Sequence, residues 1–382
     1  MKKTIFYWSP CLNPVGTLKS TLNSAVATSN YGKDNFKVTL INACGEWDNY
    51  LEYFKNNNVE VINFKLKFYR YLPKEGYLQS RFSYLAIYFL CLFPLIKLLL
   101  KYKPNFLIAH LITSLPLTIM NFFQLKTKFI LRISGMPKLN FLRKFFWKCS
   151  SNKIHFITCP SIELKNKLTN LKLFDSNKLH FLPDAIIDVK KFITDSKKEI
   201  KDFEKFSKKK IILAAGRLTK QKNFTYLINE FSDFSNKNNE FILIILGDGE
   251  EKIKLEKQIK NKNLENKVYL LGYLDNVYKY FNKAEIFILS SLWEDPGFVI
   301  IEAALSNLFI ISSDCPNGPT EFLDYGKNGI LYKNNQQAEL TKSIHEYCNI
   351  KNVKKFKIAA KKNSMKYTKF RHFLKLKSLL QI

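Results

Sequence analysis

From residue 210 to residue 313 the sequence alternates short β-rich runs with amphipathic stretches, and this alternation constrains the fold more than any other feature. KIILAAG (210–216), FILIILG (241–247), KVYLLG (267–272), IFILSS (286–291) and LFIISS (308–313) read as strands, and NFTYLINEFSDFS, EKIKLEKQIKN and NVYKYFNKA read as the helices between them. Strands separated by helices do not pair as hairpins; they lie parallel in one sheet, with helices covering its faces. The strand runs end in Gly or Ser-Ser at their carboxyl ends, where open parallel sheets place their ligands.

The first half repeats the theme in TIFYWS, FKVTLINA, VEVINFKL, NFLIAHL, KFILRIS, HFITCPS and KLHFLP. A chain of 382 residues exceeds the ~250–300 at which single cores stop growing, so two α/β domains are expected. The stretch TDSKKEIKDFEKFSKKK is poor in apolar residues and marks a boundary. The expected division is a first domain over 1–193, a linker over 194–209, a second domain over 210–355 and a basic helical tail over 356–382. No repeat of solenoid period is present.

Hydrophobic residues at 46% exclude a disordered chain. The formal net charge is +29, from 61 Lys+Arg against 32 Asp+Glu, but basic residues are abundant throughout, so charge alone names no partner. Its distribution is more informative: between Glu75 and Glu163 there is no Asp or Glu, while Lys and Arg recur beside Phe, Tyr, Trp and Leu. Such a surface attracts an anionic membrane face or nucleic acid; a merely solvated basic face is the bland alternative. With no nucleic-acid motif and with basic residues spread over both halves, the membrane is the expected partner and nucleic acid is not.

FSYLAIYFLCLFPLI (82–96) is too short and too near Pro94 for an uninterrupted span, and reads as a buried or interfacial helix. Seven scattered cysteines without a CxxC pair suggest neither disulfides nor zinc and fit a reducing cytoplasm. The N-terminal MKKTIFYWSP has an apolar part too short for a signal peptide and reads as a first strand.

One carboxylate stands out. In SSLWEDPGFVIIEAALSN (290–307) Glu302 lies within an otherwise apolar run, on the helix face shared by Phe298, Ile301 and Leu305. A buried carboxylate needs donors, and the two hydroxyls of a ribose would supply them. Asp295 and Pro296 are expected to start this helix as cap and first residue. In GRLTKQKN, Arg217 and Lys222 follow a strand and set fixed cations at its carboxyl end. The chain has no D-x-D metal motif, so fixed cations rather than a metal are expected to meet negative charge that develops there. In NPVGTLKSTLNSAVA, Gly16 opens a small-residue helix suited to close approach of a phosphate. His110 ends the strand run NFLIAH at a sheet edge.

Taken in order, AAGRLTKQKNFTYLI, ILGDGE, YLLGYLDN, SSLWEDPGFVIIEAALSN with its E-x7-E pair Glu294 and Glu302, and CPNGPTEFLDYGKNGILY resemble the retaining glycosyltransferases of family 4 (glycosyltransferase group 1). The resemblance covers nearly the whole second half. It implies the GT-B fold, two Rossmann-like domains with parallel sheets facing a central cleft. It implies a sugar nucleotide, with a UDP-sugar expected, as substrate and no cofactor or metal. The resemblance assigns Glu302 to the ribose, Glu294 and His110 to the transferred sugar, and Arg217 and Lys222 to the diphosphate. Gly216, Gly247, Gly272, Gly297, Phe298 and Val299 complete the donor site, while Ser134 and Gly135 in RISGMPK fall on the acceptor side. The usual E-G-F-G start is here Glu294-Asp295-Pro296-Gly297-Phe298. The expected activity is retaining transfer to a hydroxyl of a lipid-linked saccharide at the cytoplasmic face of the membrane, in surface polysaccharide or lipopolysaccharide synthesis. A sugar-nucleotide 2-epimerase on the same fold and a basic nucleic-acid-binding protein are the alternatives.

Overall fold

The computed structural model describes residues 2–12, 16–64, 66, 69, 72, 77–200, 203–206, 208–294 and 296–381. The chain divides into two compact units, Met1–Ala185 with Lys369–Ile382, and Ile186–Thr368.

In the first unit the strands are Lys3–Trp8 (β1), Phe36–Asn42 (β2), Glu60–Asn63 (β3), Phe106–Ala109 (β4), Lys128–Arg132 (β5), Ile154–Cys159 (β6) and Leu179–Phe181 (β7). Helices Gly16–Tyr31 (α1), Leu51–Asn56 (α2), Tyr77–Tyr102 (α3), Ser114–Phe122 (α4), Phe141–Ser150 (α5) and Ile162–Asn170 (α6) connect them. The sheet runs β3-β2-β1-β4-β5-β6-β7, parallel throughout. Strands such as Phe106–Ala109 are buried along their whole length because helices cover both faces, which is why they read as unbroken apolar runs. Ile87, Leu95, Leu117, Trp147 and Leu164 place α3, α4, α5 and α6 on one face. Val26, Phe54 and Phe373 cover the other. Asn140 caps α5 by accepting from the Arg143 amide, and Ser161 caps α6 from Leu164.

The second unit begins with Val189–Ser196 (α7) and continues through Lys210–Ala215 (β8), Phe224–Ser235 (α8), Phe241–Leu246 (β9), Lys252–Asn261 (α9), Val268–Leu270 (β10), Tyr278–Phe281 (α10) and Ile286–Leu289 (β11). It ends with Phe298–Leu305 (α11), Phe309–Ser313 (β12), Pro319–Phe322 (α12), Ile330–Tyr332 (β13), Glu339–Asn349 (α13) and Val353–Ser364 (α14). Its parallel sheet runs β10-β9-β8-β11-β12-β13. Both sheets therefore start at a central strand, wind outward, and restart on the other side of it. This doubly wound order opens a crevice at the carboxyl ends of the two central strands, β1 and β4 in one unit, β8 and β11 in the other.

The unit boundaries differ from those expected. The segment 194–209 is not a free linker: Asn276 Nδ2 donates to the Asp195 carbonyl (2.8 Å) and Asn282 Nδ2 to the Ser196 carbonyl (2.9 Å), tying the end of α7 into the second unit. The residues 356–382 are not one tail. Helix α14 packs in the second unit, whereas Lys369–Gln381 (α15) belongs to the first. There His372 of α15 donates through Nδ1 to the Pro183 carbonyl (2.7 Å) and its Nε2 meets Ser24 Oγ of α1 (2.8 Å).

Burial pushes the His372 imidazole down to about 4, from 6.5. Between those values the unfolded chain binds more protons than the folded one, so this group's contribution to stability is full above about pH 6.5 and is lost as pH falls toward 4. Glu46 acts in the opposite sense: burial raises its carboxyl to about 7, so its contribution is lost as pH rises from about 4.5 to 7. The difference between wild type and His372→Gln isolates the first effect. The melting temperature of the variant is expected to fall less steeply than that of wild type between pH 6.5 and 4; parallel curves would show that His372 carries no such linkage.

Candidate active site

In the second unit the crevice lies at the ends of β8 and β11, and two loops stitched together line it. From the β11 side, the Ser290 hydroxyl donates to the Lys222 carbonyl (2.7 Å) and the Leu292 amide to the Gln221 carbonyl (2.8 Å). From the β8 side, Gln221 Nε2 donates to the Trp293 carbonyl (2.8 Å). These bonds hold Lys222 and Glu294, 72 residues apart in sequence, as an ion pair whose side chains are only 14% and 7% exposed. The Ser291 hydroxyl donates to the same Glu294 oxygen at 2.5 Å. A Cβ on Gly216 would sit 2.9 Å from Cε of Lys222, so the glycine leaves room for the lysine chain to cross the end of β8.

Gly247 serves an even closer approach. Its φ is +147°, and a Cβ there would lie 1.8 Å from the Gly216 carbonyl oxygen, so no other residue fits between the ends of β8 and β9. Its amide donates to the Gly272 carbonyl (2.8 Å), which links the third strand end, β10, to the same edge. Arg217 is exposed at this edge and, among the described residues, has no ion-pair partner.

Helix α11 begins at Phe298, not at Asp295-Pro296 as expected. Gly297 precedes it with φ +87°, a left-handed conformation that breaks the helix on its N-terminal side. Asp295 lies outside the described residues. Phe298 and Val299 form the first turn, where the peptide dipoles favour an anion. Glu302, one turn further on, is 8% exposed and accepts a long hydrogen bond from Tyr278 Oη (3.4 Å). Burial and the adjacent Glu302 carboxylate together raise the Tyr278 phenol, which therefore stays a neutral donor.

Sequence reasoning missed Tyr278, which lies within YKYF and is marked only by an aromatic at helical spacing. It also missed Cys315, buried near the Lys222–Glu294 pair with its thiol pushed up to about 12 by burial. Among the described residues, no group of three or more His, Cys, Asp or Glu gathers to hold a metal.

In the first unit the carboxyl ends of β4 and β5 carry the other expected residues. His110 follows β4; its amide donates to the Trp8 carbonyl (2.9 Å), and burial holds its imidazole well below the ordinary value, neutral near pH 7. Arg132, ending β5, forms a buried ion pair with Asp184 at 2.6 Å and donates to the Leu182 carbonyl at 2.7 Å. His110 Nδ1, Arg132 Nε and Ser134 Oγ are buried without a hydrogen-bond partner among the described residues. Ser134 and Gly135 follow β5 as half-buried residues. Gly16 opens α1 with open space where a Cβ would be; residues 13–15 of the expected phosphate turn lie outside the described residues.

Two doubly wound units, with buried acids and a fixed cation at the carboxyl edge of the second sheet, define a protein of the GT-B class. Its residues 195–363 match the family model described as glycosyl transferases group 1. It is 31% identical over 269 residues to an uncharacterised glycosyltransferase of Methanocaldococcus jannaschii, covering 63% of this chain and 66% of that protein. It is 37% identical over 124 residues to the N-acetylgalactosamine-N,N'-diacetylbacillosaminyl-diphospho-undecaprenol 4-alpha-N-acetylgalactosaminyltransferase of Campylobacter jejuni, covering 32% of this chain and 33% of that one. The chain thus spans from a third to just under two thirds of these relatives' length. Among solved structures it resembles a glycosyltransferase from Rickettsia africae, at 16% identity and a TM-score of 0.79 over 100% of this chain and 98% of that one. Anabaena HepE in complex with UDP matches at 14% identity and a TM-score of 0.73, over 99% of both chains. At such identities these likenesses establish the fold.

Proposed function

We propose that the chain moves a sugar from a nucleoside diphosphate donor, a UDP-sugar, to a hydroxyl of a lipid-linked saccharide, with retention of configuration and without a metal. The observation that carries this reading is the fixed Lys222–Glu294 pair beside exposed Arg217, at the sheet edge that also presents buried Glu302. Glu302 accepts the ribose hydroxyls, and the start of α11 with Arg217 and Lys222 faces the diphosphate. Because Lys222 is already held by Glu294, it stabilises the departing phosphate without reorganising as charge develops. The anomeric carbon–oxygen bond to phosphate breaks, the acceptor hydroxyl oxygen bonds to the same face, and its proton passes to the departing phosphate oxygen. Residues His110, Ser134 and Gly135 are assigned to the first unit's share of the reaction, with the neutral imidazole and the serine hydroxyl, which has no partner among the described residues, as its polar contacts.

A relative named for a diphospho-undecaprenol substrate and a structural neighbour holding UDP support the classes of acceptor and donor. The acid-free interval 76–162 supports a site of action at an anionic membrane surface, on the cytoplasmic side where sugar nucleotides are made.

The test is a screen of labelled nucleotide sugars with and without membrane lipid extract. Label is expected to enter the lipid fraction from one donor only, with chelator present. Conversion of a donor to its epimer without extract would replace this reading with the 2-epimerase, and a requirement for divalent ion would overturn the metal-free scheme.

A further inference from the structure

Helix α3 is apolar on both of its faces. Ile87, Cys91, Leu95 and Leu98 point into the core of the first unit. At about 100° per residue, Phe82, Phe89 and Phe93 fall within about 40° of one another on the opposite side, and they are 62%, 66% and 70% exposed, with Leu85 beside them at 59%. A surface helix of a soluble domain ordinarily turns charged or polar residues outward, as α9 does with Lys254, Lys257 and Lys260. Residues 81–102 are long and apolar enough to cross a bilayer by length and composition, yet α3 is the crossover from β3 to β4 and its inner face completes the core. It cannot leave the unit to span without exposing that core.

Helix α5 covers the same face of the sheet as α3, since Trp147 belongs to the same core. It too turns aromatics outward: Phe141 and Phe145, 80% and 61% exposed, are stacked with ring centroids 6.4 Å apart. Exposed Lys97 and Lys101 on α3, and Arg143, Lys144 and Lys148 on α5, accompany these aromatics, and no acid occurs from residue 76 to 162. Contiguous exposed apolar surface flanked by one sign of charge marks an interaction site. Apolar outer faces with flanking cations suit a helix lying in the plane of an anionic membrane, its rings at the boundary of headgroups and acyl chains.

We infer that the first unit docks by inserting the outer face of α3, with the Phe141–Phe145 pair of α5, into the interface of an anionic lipid bilayer. This rests on the membrane reading proposed above and goes beyond it, because attraction of basic residues alone needs no insertion. The cations draw the unit to the surface, and the aromatics leave water once it arrives.

The experiment uses the full chain with exposed Cys149 and Cys348 replaced by Ser and an environment-sensitive fluorophore on Phe89→Cys; the same label on Lys257→Cys of the second unit is the control. Vesicles are phosphatidylcholine with phosphatidylglycerol, with and without brominated acyl chains. Expected are a blue shift and bromine quenching at position 89 and neither at 257. The unlabelled Phe82→Ser/Phe89→Ser/Phe93→Ser variant is expected to bind these vesicles at least tenfold more weakly at both low and 0.5 M salt while melting as wild type does. Vesicle binding that leaves position 89 in water and is unchanged in the triple variant would overturn insertion while leaving membrane association standing. No vesicle binding would overturn both, and a concentration-dependent dimer abolished by the triple substitution would assign the face to a second copy of the chain instead.

Discussion

Lys222→Ala is expected to lower turnover by about 10²- to 10³-fold, the usual cost of deleting a fixed group that stabilises developing charge, and also to destabilise the protein. The second effect follows from the geometry: the Lys222 and Glu294 side chains are largely buried, so removal of the lysine strands a carboxylate that, among the described residues, Ser291 alone then serves. Breaking one side of a buried pair costs about 3–5 kcal/mol. Arg217→Ala separates the two roles. Its side chain is exposed and, among the described residues, unpaired, so stability should change by about 0.5 kcal/mol or less, while turnover falls more than donor affinity does. Denaturant midpoints and steady-state kinetics on both variants check this. Turnover unaffected by Arg217→Ala would remove the arginine from the leaving-group site, and an unchanged midpoint for Lys222→Ala would mean the pair contributes nothing to folding.

Glu302→Gln is expected to weaken donor binding by about 1.5–3 kcal/mol, the worth of hydrogen bonds to a charged acceptor, which is about 10- to 100-fold in dissociation constant. The carboxylate is buried on α11, where Tyr278 donates to it at 3.4 Å, and a charged carboxylate can accept from more than one donor. Glu339→Gln is the control, since Glu339 lies on α13, half-buried and paired with exposed Lys342. Calorimetric titration with UDP compares the three proteins. Affinity equal in Glu302→Gln and wild type would withdraw the ribose assignment.

All seven strands of the first sheet and five of the six in the second were readable as apolar runs, because parallel strands covered on both faces have little choice of composition. Strand β13 escaped because it is three residues long, ILY, within a segment dominated by Gly, Asn and Lys. The start of α11 was misplaced because the Asp-Pro pair has the chemistry of a helix start, whereas the backbone turns left-handed at Gly297, immediately before the first helical residue, Phe298. Within the site, Glu302 announced itself as one acid in an apolar run. The Lys222–Glu294 pair did not, since 72 residues separate its members and only the hydrogen bonds between two loops bring them together. The return of α15 to the first unit was equally hidden: His372 finds Ser24 at a sequence separation of 348, which no local pattern encodes. The outer face of α3 was visible as hydrophobicity but not as exposure, because periodicity cannot tell a helix buried on both sides from one buried on a single side.

Glycosyl transfer with retention is tested most directly by following the anomeric proton of the consumed sugar nucleotide by NMR, in chelator, with lipid acceptor present. The donor's α-anomeric signal is predicted to be replaced by that of an α-glycoside while nucleoside diphosphate accumulates in equal amount, and Arg217→Ala should slow both together. A β-glycoside would contradict same-face transfer, and loss of the donor signal to a 2-epimer, or its persistence alongside every acceptor, would contradict the proposed activity itself.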